Sequence, residues 1–355
     1  MRVLITGHNG YIGSVMSRLI STRHDVVGLD TYYFERCTLG TERADLRALR
    51  VDLRDVREEH LAGFDAVIHL AAVSNDPLGD LRAETTYEIN HRAAVRLAQM
   101  AKAAGVPRFL FASSCSLYGV AGDEMLDENA RFHPITPFGE SKFFVERDVR
   151  PLADEKFTPV FLRNATTYGA SPRLRLDVVV NNLVGAALAT GEILVESDGT
   201  PWRPLVHVED VSRAFLAVLE APKERVHAEA FNVGRTDENY RVSELAELVR
   251  RAVPGTRVRY AEGAGPDPRS YRVHCDKLGR AVPAFKPTWR VPEGVAQLVE
   301  SYRAGGFGKE QWEGTRFFRM KRIQELLQAK RLDHDLRWTP TVSTTGPRPA
   351  IGAVR

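Results

Sequence analysis

Three features of this sequence predict an α/β fold: a doubly wound parallel sheet with helices on both faces, followed by a smaller α/β region. Short β-branched runs alternate with longer amphipathic runs through the first half. A glycine-rich loop joins the first run to the first amphipathic stretch. The alternation weakens after about Gly169. Strands alternating with helices of this length form parallel sheets, because each right-handed crossover lays its helix on a sheet face.

The elements follow in order. Val3, Leu4 and Ile5 begin a buried strand, and a helix is expected over 10–23. Val26 to Leu29 forms a second strand ending on Asp30, and Leu49, Arg50 and Val51 mark a third. Residues 66–70 read as a buried strand. Residues 85–104 read as one helix, with Ala94, Leu97, Ala98 and Ala101 on one face. Gly105 and Pro107 stop it. Strands over 109–112 and 159–162 flank a helix over 140–152. A helix is then expected over 178–190, strands over 193–195 and 205–208, and a helix over 211–219. The expected division is a dinucleotide-binding region over 1–169, with 205–235 returning to it. A second region covers 170–204 and 236–338. Residues 339–355, rich in Pro, Gly, Ser and Thr, are expected to form a poorly ordered tail.

Composition narrows the function classes. The 355 residues carry 49 Lys+Arg against 46 Asp+Glu, a net charge of +3. That near-balance gives no sign of a nucleic-acid partner. The chain is 43% hydrophobic and 27% charged, which suits a packed core rather than disorder. No apolar run approaches the roughly 18–20 residues of a membrane span. Cys37, Cys115 and Cys275 are odd in number and far apart, which fits a reducing cytoplasm rather than a disulfide framework. The strand-like start at Met1 gives no signal peptide to remove. No His/Cys cluster suggests a metal.

The loop from Gly7 to Gly13 reads Gly-His-Asn-Gly-Tyr-Ile-Gly. Gly7 permits a tight turn, Gly10 lets backbone approach a diphosphate, and Gly13 lets helix and strand pack closely. Amides at the following helix start are donors to phosphate, so Asn9, Tyr11 and Ile12 are expected beside it. Asp30, at the end of the second strand, can accept from both adenosine ribose hydroxyls and repels a 2′-phosphate. No Arg in the loop compensates for that repulsion, so NAD is expected rather than NADP. Asp52 can receive the adenine amino group beside Leu53. Small residues at Leu70-Ala71-Ala72 let a cofactor lie across the strand ends. This is the Rossmann-type arrangement.

The glycine loop, the run His69-Leu70-Ala71-Ala72, the segment Ser113-Ser114-Cys115-Ser116-Leu117-Tyr118-Gly119, Lys142 in its Phe-Gly-Glu-Ser-Lys context, and Arg203 to Asp210 stand in a family's order and spacing. Over about 1–338 the chain resembles the extended short-chain dehydrogenase/reductases that act on nucleotide sugars. That resemblance implies that Ser114 bonds the reacting sugar hydroxyl. It implies that Lys142 binds the nicotinamide ribose and lowers the pKa of a phenol one helical turn earlier. That phenol is missing: Phe138 stands in its place. Phe cannot transfer a proton. Three readings remain open: a deliberate Tyr-to-Phe change that traps a complex, an enzyme using another base, and a protein that binds without catalysis.

The resemblance also sorts reactions. Sugar 4,6-dehydratases carry an Asp-Glu pair after the Ser/Thr, where this chain has Cys115-Ser116. Mannose 3,5-epimerases place a Cys where Ser116 stands. What remains is hydride removal and return at one carbinol, as in a 4-epimerase, or one-way reduction of a 4-ketosugar. Arg203 resembles the family arginine that pairs with the substrate diphosphate, with Arg269 or Arg272 as its companion. Cys115, Ser116, Asn164, Thr166 and Asn182 are candidate substrate-lining residues, although a small buried filler is the simpler reading of Cys115. Asn90 resembles an Asn that supports active-site backbone. The family's helix pairing implies a homodimer.

Overall fold

The computed structural model describes residues 1–40, 46–74, 82–265 and 267–340. The tail expected over 339–355 lies, beyond Pro340, outside the described residues.

Seven strands form one sheet: β1 (Arg2–Thr6), β2 (Asp25–Asp30), β3 (Ala48–Arg50), β4 (Ala66–His69), β5 (Arg108–Ser114), β6 (Thr158–Asn164) and β7 (Ala230–Val233). Their spatial order is β7-β6-β5-β4-β1-β2-β3, and every pairing is parallel. The order reverses between β1 and β4. Such a switch point opens a crevice at the carboxyl ends of the strands. The central strands β1, β4 and β5 are buried over nearly their whole length, and mostly apolar, because both faces are covered.

One face packs under α1 (Tyr11–Ile20), with Met16 and Ile20 joining Phe215 and Leu219 in one apolar cluster. The other packs under α2 (Ala93–Ala103) and α3 (Pro137–Val149), through Leu97, Ala98, Ala101, Val145 and Val149. Burying a side chain of Leu or Phe size stabilises by about 1.5–3 kcal/mol, so each face is held by many such terms.

Helix ends move by up to three residues from the sequence expectation, as at Tyr11–Ile20, Pro137–Val149 and Val208–Glu220, and two elements differ in kind. The helix expected over 85–104 is broken by a π-turn, Glu88–Arg92, between Ala83–Tyr87 and α2. The cause is local: Asn90 turns inward and grips the backbone of Val73, receiving its N–H at 2.8 Å and donating to its carbonyl at 2.9 Å. π-turns of this kind collect at functional sites. The strand expected over 205–208 runs Trp202–His207 and does not enter the main sheet. It lies between Thr166–Tyr168 and Asn239–Arg241 in a separate three-stranded sheet, because β7 takes the free edge beside β6. The helix that follows it, α5 (Val208–Glu220), still packs beside α1.

A third apolar cluster gathers α4 (Val179–Thr190), Val242–Ala252 and Val291–Ala304 around Val184, Val249 and Leu298. A fourth joins the C-terminal helix Arg319–Gln328 to Val73, Tyr33 and Phe34, which lie in the loops after β4 and β2. No helix of the described residues is long and apolar enough to cross a membrane.

Candidate active site

A continuous cavity of about 980 Å³ opens at the carboxyl ends of β1, β2, β4 and β5. It is near the top of the roughly 300–1,000 Å³ range of small-molecule sites. The glycine loop forms one end. Gly7 has φ 75°, and a side chain there would meet Ala71 N at 2.7 Å. A Cβ at Gly13 would come within 2.1 Å of Gly7 O. These positions admit only glycine. The start of α1 has no side-chain cap and no acidic residue in its first turn. A bare, tightly cradled helix N-terminus suits a diphosphate.

Asp30 closes β2 beside this loop. Its Oδ2 accepts the Asn9 N–H at 3.0 Å and its Oδ1 the Tyr32 N–H at 2.7 Å. Tyr32 reaches that geometry at φ 62°, a left-handed conformation uncommon for a non-glycine residue. The Asp30 carboxylate is thus fixed in place by backbone. Leu53, Leu70, Ala71, Ala72 and Ile12 continue the same wall. Asp52 also lines it, but its carboxylate is gripped by Arg54 at 2.6 and 2.9 Å while capping a short helical turn. Tyr11 contributes its backbone end here, while its phenol is buried against the Gly169 carbonyl at 2.7 Å. Burial pushes that phenol's pKa well up, so it is no candidate base.

The centre of the cavity holds Ser114, Ser116, Phe138, Lys142, Asn164 and Thr166. Thr136 caps α3, receiving the Gly139 N–H at 3.2 Å, and so presents Phe138 and Lys142 one turn apart on the inner face. Lys142 Nζ donates to the Ala112 carbonyl at 2.8 Å and lies 4.7 Å from the Phe111 ring centre and 5.5 Å from that of Phe138. Burial pulls its pKa down to about 7, against the opposing charge of Glu146. Ser114 Oγ receives the Ser116 N–H at 3.1 Å, which leaves its own proton for a ligand. Ser116 Oγ and Asn164 Oδ1 are buried and have no hydrogen-bond partner within the protein. Buried polar atoms are rarely left so, and both face the cavity.

The far end carries Asn182, Arg203 and Arg269. Arg203 Nη2 reaches Asp267 at 2.6 Å and Arg269 Nη2 reaches the same oxygen at 2.8 Å. Asp267 therefore brings the two guanidinium groups together. Burial draws the Arg203 pKa down.

Two candidates are not in the cavity. Cys115 points to the other side of the chain, into the core, where its thiol donates to the Arg163 carbonyl at 3.2 Å. The side chain is fully buried away from the cavity, and that burial pushes its pKa well up, which disfavours a thiolate. Arg272 stacks 4.9 Å over the Trp202 ring and bonds the Asp123 carbonyl. Of the two arginines in the segment Asp267-Pro268-Arg269-Ser270-Tyr271-Arg272 only Arg269 reaches the site, because residue 272 already lies in a short strand paired with Met125–Leu126. Sequence reasoning missed Asp267 and Tyr271, although both stand beside the candidates Arg269 and Arg272. It also missed Arg175 and Arg319, which line the cavity from outside any motif.

A glycine cradle at a sheet switch point, continuous with a centre and an arginine-bearing end, defines a dinucleotide-dependent enzyme of the oxidoreductase type. Residues 3–234 match the NAD dependent epimerase/dehydratase family. The chain belongs to that family, whose cofactor is NAD. It is 28% identical over 311 residues to the UDP-glucose 4-epimerase of Lactobacillus helveticus, covering 81% of this chain and 92% of that one. It is 27% identical over 296 residues to the mouse UDP-glucose 4-epimerase, covering 73% and 84%. Among solved structures, MoeE5 in complex with UDP-glucuronic acid and NAD superposes with a TM-score of 0.74 at 26% identity, covering 86% of this chain and 99% of that one.

Proposed function

We propose that this chain binds a nucleotide-diphosphate sugar against tightly held NAD and is built as an epimerase at a sugar carbinol, C4, with Phe138 in the place of the proton-relaying phenol. The observation that carries this reading is the alignment within one cavity of the glycine cradle, the Ser114–Lys142 centre and the Arg203–Arg269 end. The family relatives named above, two of them UDP-glucose 4-epimerases, support it.

When bound, NAD supplies an acceptor for a hydride from the sugar carbinol and returns it. The chain does the rest. Gly7, Gly10 and Gly13 hold the diphosphate by backbone, and Asp30 holds the adenosine ribose. Lys142, anchored to the Ala112 carbonyl, orients the nicotinamide ribose. Ser114 donates to the reacting hydroxyl, and Ser116 and Asn164 offer their unpartnered oxygens to sugar hydroxyls. Arg203 and Arg269 turn from Asp267 toward the substrate diphosphate. Phe138 closes the wall but moves no proton, so turnover is slow.

The packing of the C-terminal helix on the loops beside the cofactor end favours retention of NAD. Retention suits an epimerase, which returns what it removes, over a ketosugar reductase, which must release its oxidised cofactor. A homodimer through the faces of α2 and α3 is part of the proposal. The test is the bound-nucleotide content of the purified protein, followed by chromatography of UDP-, GDP-, CDP- and dTDP-sugars incubated with it and with Phe138→Tyr. Epimerised product from the Tyr variant supports the proposal. Binding with no conversion in either protein leaves a nucleotide-sugar binder.

A further inference from the structure

We infer that Arg319 is a cofactor-binding residue, supplying a buried cation to the diphosphate of the dinucleotide from the C-terminal segment of the chain. Arg319 opens the helix Arg319–Gln328 and is 4% exposed. Its guanidinium lies 4.3 Å over the Phe34 ring. Its Nη2 donates to the Arg173 carbonyl at 3.2 Å, and its buried Nη1 has no partner. Among the described residues no carboxylate stands within ion-pair distance of it. Burial lowers its pKa, opposed by more distant charges that include Asp177. An enclosed guanidinium with no counter-ion is costly. An anion in the cavity beside it removes that cost.

Position selects the anion. Arg173, whose carbonyl Arg319 holds, donates from Nε to Asn9 Oδ1 at 3.0 Å, within the glycine loop. Phe34, on which Arg319 stacks, follows closely on Asp30. Arg319 therefore sits between the start of α1 and the end of β2. A dinucleotide with its ribose at Asp30 and its phosphates at α1 passes its diphosphate through that interval. Arg319 lines the same cavity as Gly10, Tyr11 and Asp30. The inference rests on the NAD-binding reading of this cavity and not on the sugar chemistry proposed for its other end.

The test uses full-length protein stripped of nucleotide and titrated with NAD, NADP and UDP. Arg319→Met should weaken NAD roughly 10- to 150-fold, as expected for loss of a hydrogen bond to a charged group. Arg319→Lys should recover part of that loss. UDP affinity should not move. The thermal midpoint of nucleotide-free Arg319→Met should equal or exceed that of the parent, because an uncompensated buried charge has gone. Arg322→Met, on the same helix but off the cavity, should leave NAD affinity unchanged. Unchanged NAD affinity in Arg319→Met overturns the inference. So does a fall in the nucleotide-free midpoint that Arg319→Lys does not restore, which would mark a structural role. A loss confined to NADP would place the guanidinium at a 2′-phosphate, and a loss confined to UDP would place it in the substrate end. Both overturn it. If the sugar proposal fails instead, the parent protein shows no UDP binding while the NAD comparison stands.

Discussion

The two ends of the cavity are built by different means. The phosphate cradle of the cofactor end is made of backbone: Gly7 and Gly13 admit no side chain, and Asp30 is pinned by the amides of Asn9 and Tyr32. The end proposed to take the nucleotide sugar is made of long side chains from distant segments, with Arg203 and Arg269 joined through Asp267. Backbone geometry is fixed before a ligand arrives, whereas paired arginines must exchange one anion for another. The cofactor end should therefore be rigid and selective for one ligand, and the sugar end adaptable and weaker.

The largest test of that contrast lies between the two ends. Phe138→Tyr adds a phenol oxygen at the centre while keeping the ring. Turnover of the matching nucleotide sugar should rise by about 10²–10⁴-fold, the usual contribution of general acid–base help. Its rate should climb with pH as the new phenol ionises beside Lys142. Equal turnover in both proteins would place the base elsewhere.

Next come the ends themselves, which should come apart in mirror image. Arg203→Ala should weaken nucleotide-sugar binding roughly 10- to 150-fold and leave NAD affinity alone. Gly13→Ala drives a methyl onto Gly7 O and should lower stability by about 1–3 kcal/mol with loss of bound NAD. Calorimetric titration of each variant with NAD and UDP reads both effects. If either substitution damages both ligands equally, the ends are not separate.

A smaller effect concerns Lys142. Its pKa is about 7 in the folded protein against an ordinary 10.5. Between those values the unfolded chain binds a proton that the native chain has shed, so stability should rise with pH across that window. Below pH 7 both states are protonated and the contribution is flat. The slope is at most about 1.4 kcal/mol per pH unit. Denaturant midpoints of nucleotide-free protein at pH 7 and 9.5 should differ, and Lys142→Met should shrink the difference. Smallest of all, Arg272→Ala should leave nucleotide-sugar affinity unchanged, since the residue stacks on Trp202 outside the cavity.

This same contrast governs what could be read without a structure. Gly7, Gly10, Gly13 and Asp30 announce themselves because backbone geometry demands particular residue types at particular spacings. Ser114, Lys142 and the position of Phe138 were legible only through family resemblance, since a Ser or Lys alone predicts nothing. For Cys115 the sequence offers a substrate-lining role and the simpler reading of a small buried filler, and the side chain turns into the core, as a one-residue step from Ser114 implies. Arg272 and Arg269 could not be told apart, because the turn that aims one inward is set by Asp267, which binds the Arg269 N–H at 2.9 Å. The π-turn at Asn90 was invisible because nothing in helical periodicity marks an extra residue per turn. Arg319 had no local signal at all.

The C-terminal segment has a consequence for how the protein is made. Tyr33 bonds the Leu336 carbonyl, Trp338 Nε1 bonds the Thr31 carbonyl at 2.6 Å across 307 residues of chain, and Arg54 Nη1 reaches the Asp335 carbonyl at 2.7 Å. Strands β1 to β5 leave the ribosome long before these partners exist. Domains generally fold as units from the N-terminus during synthesis, and contacts of such separation close last. The nascent chain can therefore gather its glycine cradle early, yet residues 319–338, which pack against the loops beside that cradle, are made much later. Cofactor capture then waits on the synthesis of residues 319–338. A ribosome-bound chain stalled before residue 319 should lose NAD on washing, and the released chain should keep it.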